Sequence, residues 1–269
     1  MLESPVITLT TDFGLKDPFA GLMKGVILGI NPGATIIDIT HNIQRHNVFE
    51  ASQVLAMSYK YFPTTTIHVA VVDPGVGSMR RPLLVVTEDH YFIGPDNGIF
   101  SPVFEDLKST FFKVYHLTAS HYFLPMSGST FHGRDIFAPI AAWLSKGVDS
   151  HKMGDQIDDY MKIAAPKPVV ADNGTITGEI ISKDNFGNAL SNIRKDDIAK
   201  LADLESKENF RIIYNDQPLP FLHYYSENEN DTLAAIINSF GHLELFSFRE
   251  SASEKYNINI GDKVIVSPA

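Results

Sequence analysis

The chain has 269 residues, with 22 Lys plus Arg against 32 Asp plus Glu and a formal net charge of −10. A chain this acidic, with no basic block, is a poor candidate for holding phosphate backbones, and 44% hydrophobic with 20% charged residues excludes a disordered polymer. Cysteine is absent, which excludes disulfides, thiolate zinc sites and a cysteine nucleophile and fits a reducing compartment.

The amino-terminal stretch Met1-Leu2-Glu3-Ser4-Pro5 lacks the basic start and apolar run of a signal peptide. No apolar stretch approaches the ~20 residues that a membrane helix needs. The expectation is a soluble, cytoplasmic protein that binds neither membrane nor nucleic acid.

Residues 6–10 read as a buried strand running into Thr11-Asp12-Phe13-Gly14. Residues 20–30 have helical spacing through Leu22, Val26 and Ile30, stopped by Asn31-Pro32-Gly33. A second strand at 35–39 ends in Thr40-His41. A helix over 48–61 halts at Pro63, and the β-branched run 66–72 ends at Asp73-Pro74-Gly75. Strand, helix, strand, helix, strand is the pattern of a parallel sheet with crossover helices. In such sheets ligands bind beyond the carboxyl ends of the strands, where Asp12, Asp38 to His41 and Asp73 to Arg80 fall.

Strands at 83–87 and 91–93 lead to the turn Gly94-Pro95-Asp96-Asn97-Gly98, and Phe131-His132-Gly133-Arg134-Asp135 opens a helix through Leu144. The pattern changes at Ala164-Ala165-Pro166-Lys167-Pro168. Beyond it, short alternating runs at 175–181, 211–214, 232–237, 243–248 and 263–266 read as a small antiparallel sheet or barrel. The expected fold is α/β: a mostly parallel sheet flanked by helices over residues 1–165, then a smaller antiparallel, barrel-like β domain over 166–269.

Four segments have side chains suited to chemistry. Asp73-Pro74-Gly75-Val76-Gly77 followed by Arg80-Arg81 places a carboxylate at a strand end before a tight turn and two guanidiniums; taken alone it is more simply a capped turn. His132 beside glycine at a helix start is a base, an orienter or a plain hydrogen-bonded residue, and Arg134-Asp135 is a local ion pair. Asp12 suits a ribose diol, or is an N-cap or Asx-turn. Asp184-Asn185-Phe186-Gly187-Asn188 offers a flat aromatic face beside amide and carboxylate, or is a hairpin turn with a core aromatic. Neither a P-loop nor a GxGxxG fingerprint is present.

Taken together, these pieces occur in one order: Thr11-Asp12-Phe13-Gly14, Asp38-Ile39-Thr40-His41, the Asp73 segment, Gly94 to Gly98, Thr130 to Asp135, Asp184 to Asn192 and Asn238-Ser239-Phe240-Gly241. The set resembles the S-adenosylmethionine hydroxide adenosyltransferase family, the water-using relatives of fluorinase and chlorinase, from Thr8 to about Val266. The resemblance implies hydrolysis of S-adenosyl-L-methionine to adenosine and L-methionine, with no cofactor and no metal. It also implies a homotrimer with active sites between subunits. By motif, the water-positioning triad falls on Asp73, Arg80 and His132. Arg81 stands next to Arg80, so spacing alone does not separate the two. Substrate contacts carry over to Asp12 at the ribose, Phe186 and Asn188 near adenine, and Asp184 and Ser239 at the methionine end.

The halogenating relatives carry a tyrosine in place of Asp73 and an insertion before the Gly94 to Gly98 segment, and this chain has neither. Phe240 stands where the halogenases carry an arginine, and Leu245-Phe246-Ser247-Phe248 replaces smaller residues. Two rivals remain: a metal-dependent hydrolase using Asp12, Asp38, His41, Asp73 and His132, and a non-catalytic sensor of the same nucleoside.

Overall fold

A computed structural model describes residues 4–107, 111–125, 128–201 and 209–269; Met1 to Glu3 of the amino-terminal reading lie outside the described residues. The chain divides into two compact units, Met1–Ala165 and Pro166–Ala269.

The first unit runs β1 (Val6–Thr11), α1 (Phe19–Ile30), β2 (Thr35–Thr40), α2 (Val48–Ser58), β3 (Ile67–Val71), β4 (Pro82–Val86), β5 (Tyr91–Pro95), α3 (Ser101–Asp106), β6 (Lys113–Leu117), α4 (Ala138–Ser145) and β7 (Gly154–Ile157). Its seven strands pair in the order β2-β1-β3-β5-β4-β6-β7. β2, β1, β3 and β5 are parallel neighbours. β4, β6 and β7 run antiparallel to the strands beside them. For β4 and β5 the cause is local: 87–90 is a turn too short for a crossover, closed by backbone and hydroxyl bonds between Thr87 and His90.

Helices cover both faces. On one, Met23 and Ile27 of α1 and Ile140, Ala141 and Leu144 of α4 pack with Ile7, Leu9 and Val69. On the other, Ala51 and Leu55 of α2 and Val103 and Phe104 of α3 pack with Ala70, Leu83 and Phe92. Each large apolar side chain so buried contributes about 1.5–3 kcal/mol relative to exposure. The segment predicted as one helix over 48–61 is α-helical only to Ser58 and tightens to a 3₁₀ turn over Tyr59–Tyr61. The helix opened by His132 begins with a π turn, Gly133–Phe137, whose following Ala138 N–H donates to the Gly133 carbonyl. Such a turn is often found beside a functional residue, and here it follows His132.

The second unit contains β8 (Val169–Val170), β9 (Ile176–Lys183), β10 (Ala189–Arg194), α5 (Lys195–Ala199), β11 (Phe210–Tyr214), β12 (Gln217–Leu219), β13 (Ala234–Ile237), β14 (His242–Phe246), α6 (Ala252–Lys255) and β15 (Lys263–Pro268). The antiparallel path is β12-β11-β15-β9-β10-β14-β13, with β8 on β9. Just past β12, Pro220 and Leu222 exchange backbone bonds with Ala235 of β13, and Phe221 bridges to Ala235. The two ends of the path therefore meet, and the sheet is nearly closed like a barrel around Ile180, Ile193, Ile212, Leu245 and Val264. Among the described residues no helix is long and apolar enough to cross a membrane.

Candidate active site

The strand end at β3 is where the first unit gathers its charges. Asp73 follows the buried Val71-Val72, and the next turn needs Gly77: its φ is +79°, and a Cβ there would meet the Ser129 carbonyl oxygen at 2.7 Å. This turn sends the chain back so that Arg80 faces Asp73. Arg80 Nε donates to both Asp73 oxygens at 2.9 Å, and Nη2 makes a further bond to Oδ2. The same Nη2 lies 2.7 Å from His132 Nδ1. The guanidinium also sits over the Phe137 ring, 5.3 Å from its centroid. Side chains of Arg80 and Asp73 are only 8% and 6% exposed. Among the described residues, Arg80 Nη1 is buried with no partner.

A guanidinium has donors and no acceptor. Nδ1 of His132 must therefore accept from Arg80, which leaves the proton of the neutral imidazole on Nε2. Burial, then the Arg80 charge, hold the His132 pKa below the ordinary imidazole value, with Asp73 and Asp135 pulling weakly the other way. His132 is thus neutral at pH 7 and offers an N–H to the cleft. That cleft holds about 320 Å³ and is lined by Asp12, Phe13, Asp73, Thr130 and His132, among others.

Arg81 turns away. It pairs with Asp96 through Nε at 2.9 Å and Nη2 at 2.7 Å, and with Asp159 through Nη1 at 2.7 Å. Of the two neighbouring arginines, Arg80 contacts Asp73 and His132, and Arg81 contacts Asp96 and Asp159. Arg134 and Asp135 do form the local ion pair, at 2.6 Å.

Asp12 lines the cleft, and its Oδ2 accepts from the His46 backbone N–H at 2.9 Å. It is neither the N-cap of α1, a place held by Pro18, nor an Asx-turn onto its own loop. Asp38 lies in a separate cluster with Lys24 and His41, 3.0 Å from His41 Nε2. Burial there opposes ionisation, but Lys24 and His41 outweigh it and keep the carboxyl below its ordinary value. Of the five residues of the metal reading, Asp12, Asp73 and His132 line the cleft, whereas Asp38 and His41 pair with each other in the separate cluster. Among the described residues no group of three or more His, Asp and Glu is arranged to hold a metal.

The second unit brings together three of its four candidates. Asp184 Oδ1 accepts from the Phe186 and Asn188 backbones at 2.9 and 2.8 Å, and Oδ2 accepts from Asn188 Nδ2 at 3.0 Å. The hairpin between β9 and β10 is therefore real. Its Phe186 is not a core aromatic, however: it is 77% exposed. Gly187, at φ +84°, lies where a Cβ would meet Ser251 Oγ at 2.1 Å. Asp184, Phe186 and Asn188 line a pocket of about 510 Å³ with Tyr225, Ser247, Arg249 and Ser251. Ser239 is exposed in the turn between β13 and β14 and is not among the pocket's lining residues. Sequence reasoning misses Tyr225 and Arg249: Tyr225 opens a short 3₁₀ turn, Tyr225–Glu227, and Arg249 lies in a tight turn, and neither is long enough for periodicity to mark it.

Residues 7–154 match the SAM hydroxide adenosyltransferase N-terminal domain, and residues 178–265 match the C-terminal domain. The chain belongs to the SAM hydroxide adenosyltransferase family. It is 35% identical to the (R)-S-adenosyl-L-methionine hydrolase of Methanocaldococcus jannaschii, over 96% of this chain and 94% of that one. Identity to the protein of the same name from Salinispora tropica is 30%, over 99% of both chains. An Actinoplanes fluorinase is 24% identical over 99% of this chain and 98% of its own. The crystal structure of an uncharacterized conserved protein from Thermotoga maritima superposes with a TM-score of 0.88 at 34% identity, covering 97% of this chain and 99% of that one.

Proposed function

We propose that this protein hydrolyses S-adenosyl-L-methionine to adenosine and L-methionine, water attacking C5′ in line with the departing sulfur. The observation that carries the reading is Arg80 held between Asp73 and His132 at the wall of a cleft, beside relatives named for that activity.

The sulfonium leaves as a neutral thioether, so no acid has to protonate it. The demanding part is presenting one oriented water away from bulk solvent, which contributes at most about 7–11 kcal/mol through positioning. Asp73 Oδ2 accepts from both Nε and Nη2 of Arg80, whereas Oδ1 accepts from Nε alone and keeps a lone pair. Asp73 accepts the proton of the attacking water, and the Nε2–H of His132 donates to the same oxygen and fixes its direction. Arg80 touches neither reacting atom; it orients both groups. Water's oxygen bonds to C5′, the C5′–S pair leaves on sulfur, and the proton passes through Asp73 to solvent.

Asp12 holds the ribose, Phe186 and Asn188 the adenine, and Asp184 and Ser239 the methionine end; the assembly is a homotrimer in the cytoplasm, requiring no metal. A carboxylate at the cleft wall repels a halide, which supports water over chloride or fluoride as the nucleophile.

The test is incubation of EDTA-treated protein with S-adenosyl-L-methionine in ¹⁸O-water, with and without chloride. Adenosine labelled at the 5′ oxygen, with methionine in equal amount, is the expected result. A 5′-chloro product, turnover only after added Mn²⁺ or Zn²⁺, or bound and intact substrate would each overturn it. Light scattering of the purified protein checks the trimer.

A further inference from the structure

One buried carboxylate lies behind the second unit's pocket and is not used by the chemistry above. Glu244, on β14, is 5% exposed. Its Oε1 accepts from the Tyr225 hydroxyl at 2.8 Å and its Oε2 from Asn238 Nδ2 at 2.9 Å. Among the described residues no cation offsets it, and the charge that bears on it, Asp184, is of its own sign. A buried carboxylate without a cation is costly to a fold. Folding alone would favour an apolar residue on this strand.

Both of its partners lead to the ligand machinery. Tyr225 is a wall of the pocket shared by Asp184, Phe186 and Asn188, and its ring packs edge-on against Phe246 at 4.9 Å. Asn238 shapes the turn that carries Ser239: its Oδ1 accepts from the backbones of Phe240 and His242 at 3.0 and 3.1 Å.

We infer that Glu244 is a positioning residue: it clamps the Tyr225 wall and the Ser239 turn to one strand. By drawing in the Tyr225 proton, it also leaves that hydroxyl oxygen as an acceptor for a ligand N–H such as a purine amine or an ammonium. The inference rests on the proposed function for its substrate and on the pocket's geometry for its mechanism. Glutamine at this position is nearly isosteric but has one acceptor and one donor, so it keeps Asn238 and reverses the bond to Tyr225. Alanine keeps neither.

The experiment compares the full-length wild type with Glu244→Gln, Glu244→Ala, Tyr225→Phe and the Glu244→Gln/Tyr225→Phe double variant. It measures turnover of S-adenosyl-L-methionine, calorimetric binding of adenosine, and thermal unfolding. Glu244→Ala is expected to raise KM and weaken adenosine by about tenfold or more, with kcat falling less. Glu244→Gln should recover part of the loss, and the double variant should be no worse than the poorer single one, since both act through one hydroxyl. Equal adenosine affinity in wild type and in both Glu244 variants overturns the inference. So does a loss of kcat and KM together that tracks thermal stability and that glutamine does not rescue. If Glu244→Ala does not fold, Glu244→Gln and the double variant decide alone. Absence of turnover by the wild type is failure of the proposed function, and the adenosine comparison then still decides the role of Glu244.

Discussion

Arg80→Lys preserves the charge and removes the fork. In the native site Nε spans both Asp73 oxygens at 2.9 Å while Nη2 reaches Asp73 and also His132 Nδ1 at 2.7 Å. One ammonium at the end of a flexible stem cannot occupy those two nitrogen positions together. At least two charge-assisted bonds are lost, each about 1.5–3 kcal/mol. With the charge retained, about 3 kcal/mol of orientation is forfeited, which corresponds to roughly a hundredfold in kcat. The stack on Phe137 goes too. Arg80→Ala adds a stability cost of about 3–5 kcal/mol, because Asp73, 6% exposed, is left buried without its partner. Chromatographic adenosine release gives kcat and KM, and urea unfolding gives stability. The reasoning is refuted if Arg80→Lys turns over within about threefold of wild type, or if KM alone changes.

Asp73→Asn keeps the shape and removes the proton acceptor, so kcat should fall by a factor on the order of 10²–10⁴ with KM within a few-fold, measured by the same assay. Burial and the Arg80 charge hold His132 below the ordinary imidazole value of 6.5. The acid limb of kcat/KM should therefore have its midpoint below that of a free imidazole; a midpoint above pH 7 contradicts the assigned state. His68 is buried against Thr8 and its pKa is pushed down to about 3. The unfolded chain takes its proton near pH 6.5 and the folded chain does not until about pH 3. Stability is therefore full above 6.5 and is lost as pH falls through that window, by about 1.4 kcal/mol per unit from this residue alone. A His68→Asn variant should show a shallower slope in urea unfolding between pH 7 and 5. Phe186→Ala, at a site 77% exposed, should change stability by less than about 0.5 kcal/mol. It should raise KM roughly five- to a hundredfold if adenine stacks on the ring.

The parallel half of the first sheet was legible because its strands are continuous β-branched runs closed by Pro and Gly stops. The antiparallel half was not, because the pairing of β4 with β6 and β6 with β7 depends on partners distant in sequence. The Asp73, Arg80 and His132 assignment comes from the family resemblance, because residue types and spacing alone leave each segment open to a structural role and do not separate Arg80 from Arg81. In extended backbone, adjacent side chains point to opposite sides, so one arginine must meet Asp73 and the other Asp96, and composition does not say which. The hairpin at Asp184 was legible as a turn, whereas the exposure of Phe186 was not, because residue type alone does not separate a core aromatic from an exposed one. Tyr225 and Glu244 form a pair only because β14 and the loop before β13 meet in space.

Both units bury charge where apolar packing would serve folding better. The Asp73–Arg80 pair offsets its desolvation internally, since each carboxylate oxygen faces a guanidinium donor, yet replacing such pairs by well-packed apolar residues is often neutral or stabilising. Glu244 lacks even that compensation. Stability therefore does not account for either group; in the proposed reaction preorganisation accounts for the first, since a carboxylate already stripped of water and locked by neighbours needs no rearrangement when the reacting water arrives. Arg80 is the clearest instance. A guanidinium has no acceptor, so in the proposed mechanism its part is to fix at once the Asp73 carboxylate and the His132 imidazole.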